Sequence, residues 1–362
     1  MWIILGHAEA LEFMRDSRFS RHDYLDKLIA RFGQNGHIYE RQKLDIPYMD
    51  GKQHLNMRQH VIKAYHGIDL DALAAFTRRF AADRLASVQG NQPFDLVAML
   101  ANVLPGMVAS ELMGVPTSQQ LEVANKVSAF VRARGLIQTE QSANGGEEAL
   151  AAYAYYFLPL IQARRGGDRQ DLLSRLIADP TEGISLSDEQ LLLIISSNFY
   201  SASVYTIRLL TGTIAWAMAC HPDTYQRIRN DRKLLAPAIE EVLRWDAPAQ
   251  ALNASMATEN LELAGQTIKA GDSITALVGA ANRDPRVFDQ PDTFLIDRSP
   301  NLHLSFAPGL HQCLGLQLAR MQGVAVLSVL CDQFESLHWD PAASRRLIGD
   351  RFRGFERLIL HR

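Results

Sequence analysis

Cysteine is scarce in this chain: Cys220, Cys313 and Cys331 are the only three in 362 residues. An odd, widely spaced set excludes a disulfide framework and suits a reducing cytoplasm. None of them has a second cysteine or a metal-spaced histidine nearby, which disfavours a tetrahedral zinc site. Charge of one sign is also lacking. The 37 Lys and Arg against 40 Asp and Glu give a net charge of -3, so a general polyanion or nucleic-acid binder is not expected. Apolar runs such as Leu191 to Ser196 and Val324 to Leu330 fall well short of the roughly 20 residues a membrane span needs. No basic-then-apolar leader, internal repeat or low-complexity tract is visible. What remains is a chain with 47% hydrophobic residues, enough for one large core. A single domain over 1–362 is expected, since large single-domain enzymes often exceed the usual length per domain.

Phe306-Ala307-Pro308-Gly309-Leu310-His311-Gln312-Cys313-Leu314-Gly315 is the organising stretch. Pro308, Gly309 and Gly315 mark turns, and the good helix formers of Leu316 to Met321 follow. Cys313 is therefore expected at or just before a helix N-terminus, where unpaired N–H groups and the helix dipole favour thiolate. A lone thiolate is insufficient for zinc but sufficient as the protein ligand of haem iron. Cys220 and Cys331 lie in apolar helical contexts and read as core residues.

The stretch resembles the cytochrome P450 superfamily signature: Phe, two residues, Gly, any, His or Arg, any, Cys, any, Gly. Phe306, Gly309, His311, Cys313 and Gly315 match every spacing, while Ala307 replaces the usual second glycine. The resemblance implies the cytochrome P450 fold, mainly α with a small β-rich lobe, and haem b as cofactor. It implies that Cys313 is the axial ligand, that Phe306 packs on the sulfur, and that His311 contacts a propionate, with Gly315 close to the cofactor. His54 and Arg58 are four apart, share one helix face and can clamp a carboxylate; they resemble the family's propionate-binding pair. Ser255 stands where the family commonly has an arginine on a propionate, which leaves Arg58, His54 and His311 for that task.

A long helix is expected from the N-cap Ser187 to Cys220, ending before His221-Pro222. Ala202-Ser203-Val204-Tyr205-Thr206 falls where the family has Ala-Gly-x-Asp/Glu-Thr. Ser203 replaces a glycine that makes room for oxygen, and Tyr205 replaces the acid of the acid-alcohol pair. Thr206 keeps the alcohol. A phenol of pKa about 10 is a poor proton shuttle near neutral pH. Thr206 and Tyr205 are thus the catalytic candidates, with Tyr205 alternatively a packing or substrate-contacting phenol. Ala202, Ser203, Pro248, Ala249 and Asn253 are expected to line the substrate pocket. Glu241 and Arg244, three apart, resemble the family's Glu-x-x-Arg, and Arg298 is expected to complete a structural triad.

Elsewhere, Trp2 to Leu5 reads as a buried strand and His7 to Asp16 as a helix. The resemblance leaves the family's first helix and strand without a counterpart and a sheet edge uncovered. Arg21 to Asp50, with Tyr24, Phe32, Tyr39 and Tyr48, reads as a variable loop over the pocket. Leu73 to Leu85, Phe94 to Met113 and Leu121 to Val131 read as helices, and Gln138 to Gly146 as a hinge loop. Three functional readings follow from the resemblance. The first is a cytoplasmic haem-thiolate monooxygenase acting on a small or medium organic molecule in a specialised biosynthetic pathway, with oxygen as oxidant and electrons from a ferredoxin or flavodoxin. The second is non-standard haem-thiolate chemistry: a peroxygenase, a dehydratase, an isomerase or nitrogen-oxide chemistry. The third is a non-catalytic binding domain of the same fold.

Overall fold

The computed structural model describes residues 1–362 except 34–36, 91, 121–138, 168–170, 179–184, 348 and 350. Helices carry most of the chain, and their apolar spacing explains how they pack. In Leu70–Leu85 every fourth residue from Leu73 to Leu85 is buried, a stripe that faces Leu316–Gln333. Asp69 caps this helix by accepting the N–H of Ala72 at 2.9 Å. Leu316–Gln333 also packs on Ala202–Cys220 and Leu235–Trp245, so the helix that follows Cys313 lies in the middle of the helical core.

The long element opens with a capping box between Ser187 and Gln190. Asp188–Leu193 continues into a wider π-helical stretch, Ile194–Ser201, and then into Ala202–Cys220. Periodicity does not announce the π-helical stretch. Within it Ser197 and Asn198 bind Asp45, a carboxylate that is 0% exposed, with Asn198 Nδ2 to Asp45 Oδ1 at 2.9 Å. Such wide turns are rare and concentrate at functional sites.

The small lobe is a four-stranded sheet in which Trp2–Ile4 pairs parallel to Ser273–Ala276, followed by Ser255–Ala257 and Phe19–Ser20 in antiparallel order. Ile4, Phe13, Leu261 and Ile274 belong to a separate small core under it. This mainly α arrangement with a β-rich lobe is the expected one. No helix among the described residues is long and apolar enough to cross a membrane.

Several expectations need correction. Trp2–Ile4 is an outer strand, so Trp2 and Ile3 are 37% and 55% exposed rather than buried. Arg21 to Asp50 is not an open loop: His22–Phe32 and His37–Gln42 are helices and Ile46–Tyr48 a single 3₁₀ turn. Tyr24, Leu25 and Leu28 share a buried helix face, and Tyr39 and Tyr48 are core residues. Glu140–Arg164 is helical through Gly145 and Gly146; packing on Asp188–Leu193 offsets the roughly 1 kcal/mol that each glycine costs a helix. Gln138 itself and the whole of Leu121 to Val131 lie outside the described residues. Phe94–Asp95 is a strand, with Val97–Ala101 π-helical and Leu104–Leu112 α-helical after it. Cys331 is buried as expected, but Cys220 ends its helix and is exposed.

Candidate functional site

Cys313 lies two residues before Gly315, the N-cap of Leu316–Gln333, as expected. Its N–H donates to Phe306 O at 2.9 Å, and Gln312 N to Gly309 O at 3.1 Å, closing a tight loop. Gly309 passes against the Met14 carbonyl, where a Cβ would stand 2.1 Å away. Ala307 occupies left-handed backbone, φ 48°, a conformation that glycine takes without strain. The loop is held from outside as well. Arg320 donates to both oxygens of Glu240 at 2.7 and 2.8 Å and stacks 4.8 Å over the Phe306 ring.

Beneath the loop, Glu241 and Arg244 are both 0% exposed and form a two-pronged pair at 2.7 and 2.8 Å. Arg298 Nε at 3.3 Å, Asn301 Nδ2 at 3.0 Å and the N–H of Leu295 at 2.8 Å complete the carboxylate's partners. Arg244 donates its remaining bonds to Asn282 O, Pro291 O and Thr293 O. The structure thus brings Glu241, Arg244 and Arg298 together.

A cavity of about 280 Å³ opens between the cysteine loop and the long helix. Phe306, His311, Cys313 and Gly315 line it from the loop, Ala202, Ser203 and Thr206 from the helix, and Pro248, Ala249 and Asn253 from the segment leading to the sheet. His54 and Arg58 line it from Gly51–Tyr65. Tyr205 is the exception: its ring meets Phe352 edge-on at 5.1 Å and does not line the cavity. Thr206 Oγ1 donates to Ala202 O at 2.7 Å within its own helix. Among the described residues no Asp or Glu lines this cavity.

Sequence reasoning did not single out Asn198 or Arg21, both of which line it. The π-helical stretch carries Asn198 there, and no periodic signal marks it. Of the described residues from Arg21 to Asp50 only Arg21, Ile46 and Pro47 reach the cavity.

The electrostatics at one end are unusual. The His54 and His311 rings are 4.1 Å apart. Burial, with the cations of Arg58 and Arg21, pulls His54 down to about 4. Burial, Arg21, His54 and Arg58 push His311 well below the ordinary histidine range. His54 Nε2 is buried with no hydrogen-bond partner, and Arg58 makes no hydrogen bond or ion pair among the described residues. Burial raises the Cys313 thiol against the pull of the Gly315 N–H, Arg58 and Arg320, so the helix start alone does not yield a thiolate. A coordinated metal ion does, since it deprotonates a thiol outright. Among the described residues no group of three or more His, Cys, Asp or Glu could hold a metal ion. The unpartnered donors and the lone sulfur on the cavity wall therefore fit a cofactor that brings its own equatorial ligands, a metal centre and peripheral carboxylates.

Known proteins agree with this reading. The family model for cytochrome P450 matches residues 161–343. A biotin biosynthesis cytochrome P450 of Bacillus subtilis (strain 168) is 26% identical over 337 residues, covering 93% of this chain and 84% of the relative. A putative cytochrome P450 126 of Mycobacterium tuberculosis is 31% identical over 370 residues, covering 99% and 86%. The crystal structure of P450BioI in complex with an acyl carrier protein ligated to hexadec-9Z-enoic acid superposes with a TM-score of 0.90 at 26% identity, covering 99% of this chain and 92% of that one. A likeness that spans nearly the whole chain, and a cavity whose unmet needs are those of a haem, lead to one conclusion: this protein belongs to the cytochrome P450 family and takes that family's haem b as its cofactor.

Proposed function

We propose that this protein is a haem-thiolate monooxygenase that oxidises a small or medium organic molecule in a biosynthetic pathway. The observation that carries the reading is one cavity that joins Cys313 to the Thr206 hydroxyl. Haem iron held by Cys313 supplies the oxidising chemistry, and the thiolate's electron donation favours O–O cleavage. The chain's own residues do the rest. His54, Arg58 and His311 hold the cofactor's carboxylates by hydrogen bonds and charge. Val61, Phe199, Ile207, Leu210 and Leu252 line the cavity with apolar surface, which excludes water and orients an apolar substrate. Pro248, Ala249 and Asn253 contact that substrate. Thr206 Oγ1 can exchange its bond to Ala202 O for one to a group in the cavity and so hold a proton there. Electrons come from a ferredoxin or flavodoxin.

The reduced protein with carbon monoxide should show the red-shifted Soret band of a thiolate-ligated haem, and Cys313→Ala should abolish it. A band typical of a neutral ligand in the native protein would overturn the assignment. A second reading, peroxide-driven turnover, is favoured by the cavity's lack of a carboxylate and by the position of Tyr205 outside it. Comparing product formation with hydrogen peroxide against reduced ferredoxin plus oxygen separates the two: a peroxide rate above the ferredoxin rate selects the second.

A further inference from the structure

Arg21 directly precedes His22–Phe32, and its residue is 9% exposed. Among the described residues its guanidinium makes one hydrogen bond, from Nη1 to Pro47 O at 3.2 Å, and no ion pair. Asp50 is the carboxylate that bears on it, but that group is engaged elsewhere. It accepts from Ser20 Oγ at 2.6 Å and from the N–H groups of His22 and Arg21 at 3.1 and 3.4 Å. Asp50 also stands 4.0 Å from His311 Nε2. Burial lowers Arg21 to about 10, so it is still a cation at neutral pH. Most of its five N–H donors face no protein acceptor among the described residues, and a buried guanidinium left so is costly.

Its position says what should satisfy it. Arg21 lines the main cavity and also a narrow gap of about 20 Å³ whose walls include Ser255 and His311. Its charge opposes protonation of both His54 and His311, which places it at the same end of the cavity as Arg58. Ser255 is 2% exposed on its strand and brings no charge to that gap. Arg58 and Arg21 then face the carboxylates of the cofactor from this end of the cavity, while Arg351, a third guanidinium on its lining, donates from Nε to Ala251 O at 3.2 Å.

We infer that Arg21 binds a haem propionate, entering from the start of a helix to supply the cation that Ser255 does not. The inference rests on haem b as the cofactor and deepens that reading. It also changes the expectation drawn from Ser255 alone, that only Arg58, His54 and His311 neutralise the carboxylates.

The test is the rate at which haem leaves the holoprotein for an excess of apomyoglobin, with urea unfolding of the haem-free protein alongside. Arg21→Met should speed haem loss on the order of ten- to a hundredfold, with Arg21→Lys in between. The haem-free Arg21→Met protein should be as stable as the native one or more so, because an uncompensated buried cation has gone. Adding Ser255→Arg to Arg21→Met should slow the loss again, since the new side chain enters the same gap. Loaded with haem dimethyl ester, native and Arg21→Met proteins should lose cofactor equally fast. Haem loss within twofold of native, or a ratio unchanged by esterification, overturns the inference. So does equal destabilisation of the haem-free and loaded forms, which would reduce Arg21 to its bond with Pro47. A native protein that takes up no haem would overturn the cofactor reading itself, and the two failures are distinct.

Discussion

Two polar clusters flank the cysteine loop, and they are finished differently. Around Glu241 both carboxylate oxygens and every N–H of Arg244 meet a protein group: two arginines, an asparagine, a backbone N–H and three carbonyls surround the pair, and Asn301 Oδ1 at its rim is left without a partner. Around His54 and Arg58 there are donors without acceptors. Both clusters bear the cost of leaving water. Only the first recovers it from the chain alone. A protein that saturates one buried network and leaves its neighbour open is reserving the second for something it binds.

The sharpest way to break this contrast is to remove the carboxylate from the closed cluster. Glu241→Ala should destabilise the protein by about 3–5 kcal/mol, because Arg244 is then a buried charge with no counter-charge, held by carbonyls alone. Urea unfolding should show the loss with and without haem alike; a loss confined to haem retention would erase the distinction. Arg58→Met should do the opposite. Haem dissociation should accelerate about ten- to a hundredfold, while the haem-free protein unfolds at an unchanged or higher urea concentration. A fall in apoprotein stability would show that Arg58 too has a structural partner.

Acid should separate the networks further. Burial alone would raise Glu240, but Arg320 and His303 hold it down to about 2. Its folded value lies below the unfolded carboxylate value of about 4.3. The stability it contributes is therefore complete above about pH 4.3 and is lost as pH falls toward 2. Glu240→Gln should flatten that part of the acid-unfolding curve, and an unchanged curve would mean that the clamp on the cysteine loop contributes nothing. The smallest effect is expected at Ala307. Glycine there removes left-handed strain of about 1–2 kcal/mol and returns roughly 0.4–1 kcal/mol as unfolded-chain entropy. Ala307→Gly should leave a net gain of roughly 0–1.6 kcal/mol in urea unfolding.

Much of the closed side was legible in the sequence, because its residues are close together in the chain or bound to a spaced motif. Glu241 with Arg244 and the Phe306 to Gly315 stretch carry their geometry in their spacing, as does the pair of His54 and Arg58 on the open side. The open side was legible only in part. Arg21 reaches the cavity ahead of His22–Phe32, which like His37–Gln42 is a helix rather than a loop, and mixed aromatics and turn formers obscured the helical spacing of Tyr24, Leu25 and Leu28. Asn198 depends on a π-helical stretch, where wider turns shift side chains off the expected face. Tyr205 shows a related limit: a position counted along a regular helix does not say which wall of a cavity it meets, and its ring meets Phe352 instead. The edge strand failed differently, since an apolar run of four residues cannot reveal whether a neighbour covers it.

That strand has a consequence for the protein in bulk. Trp2, Ile3 and Leu5 are 37%, 55% and 57% exposed on the open border of the sheet, beside a groove of about 320 Å³. Unpaired strand borders of this kind template association between copies, and a net charge of only -3 gives weak colloidal repulsion. Ile3→Lys, which sets a charge on that border, should weaken such association, and light scattering at high concentration reads the change.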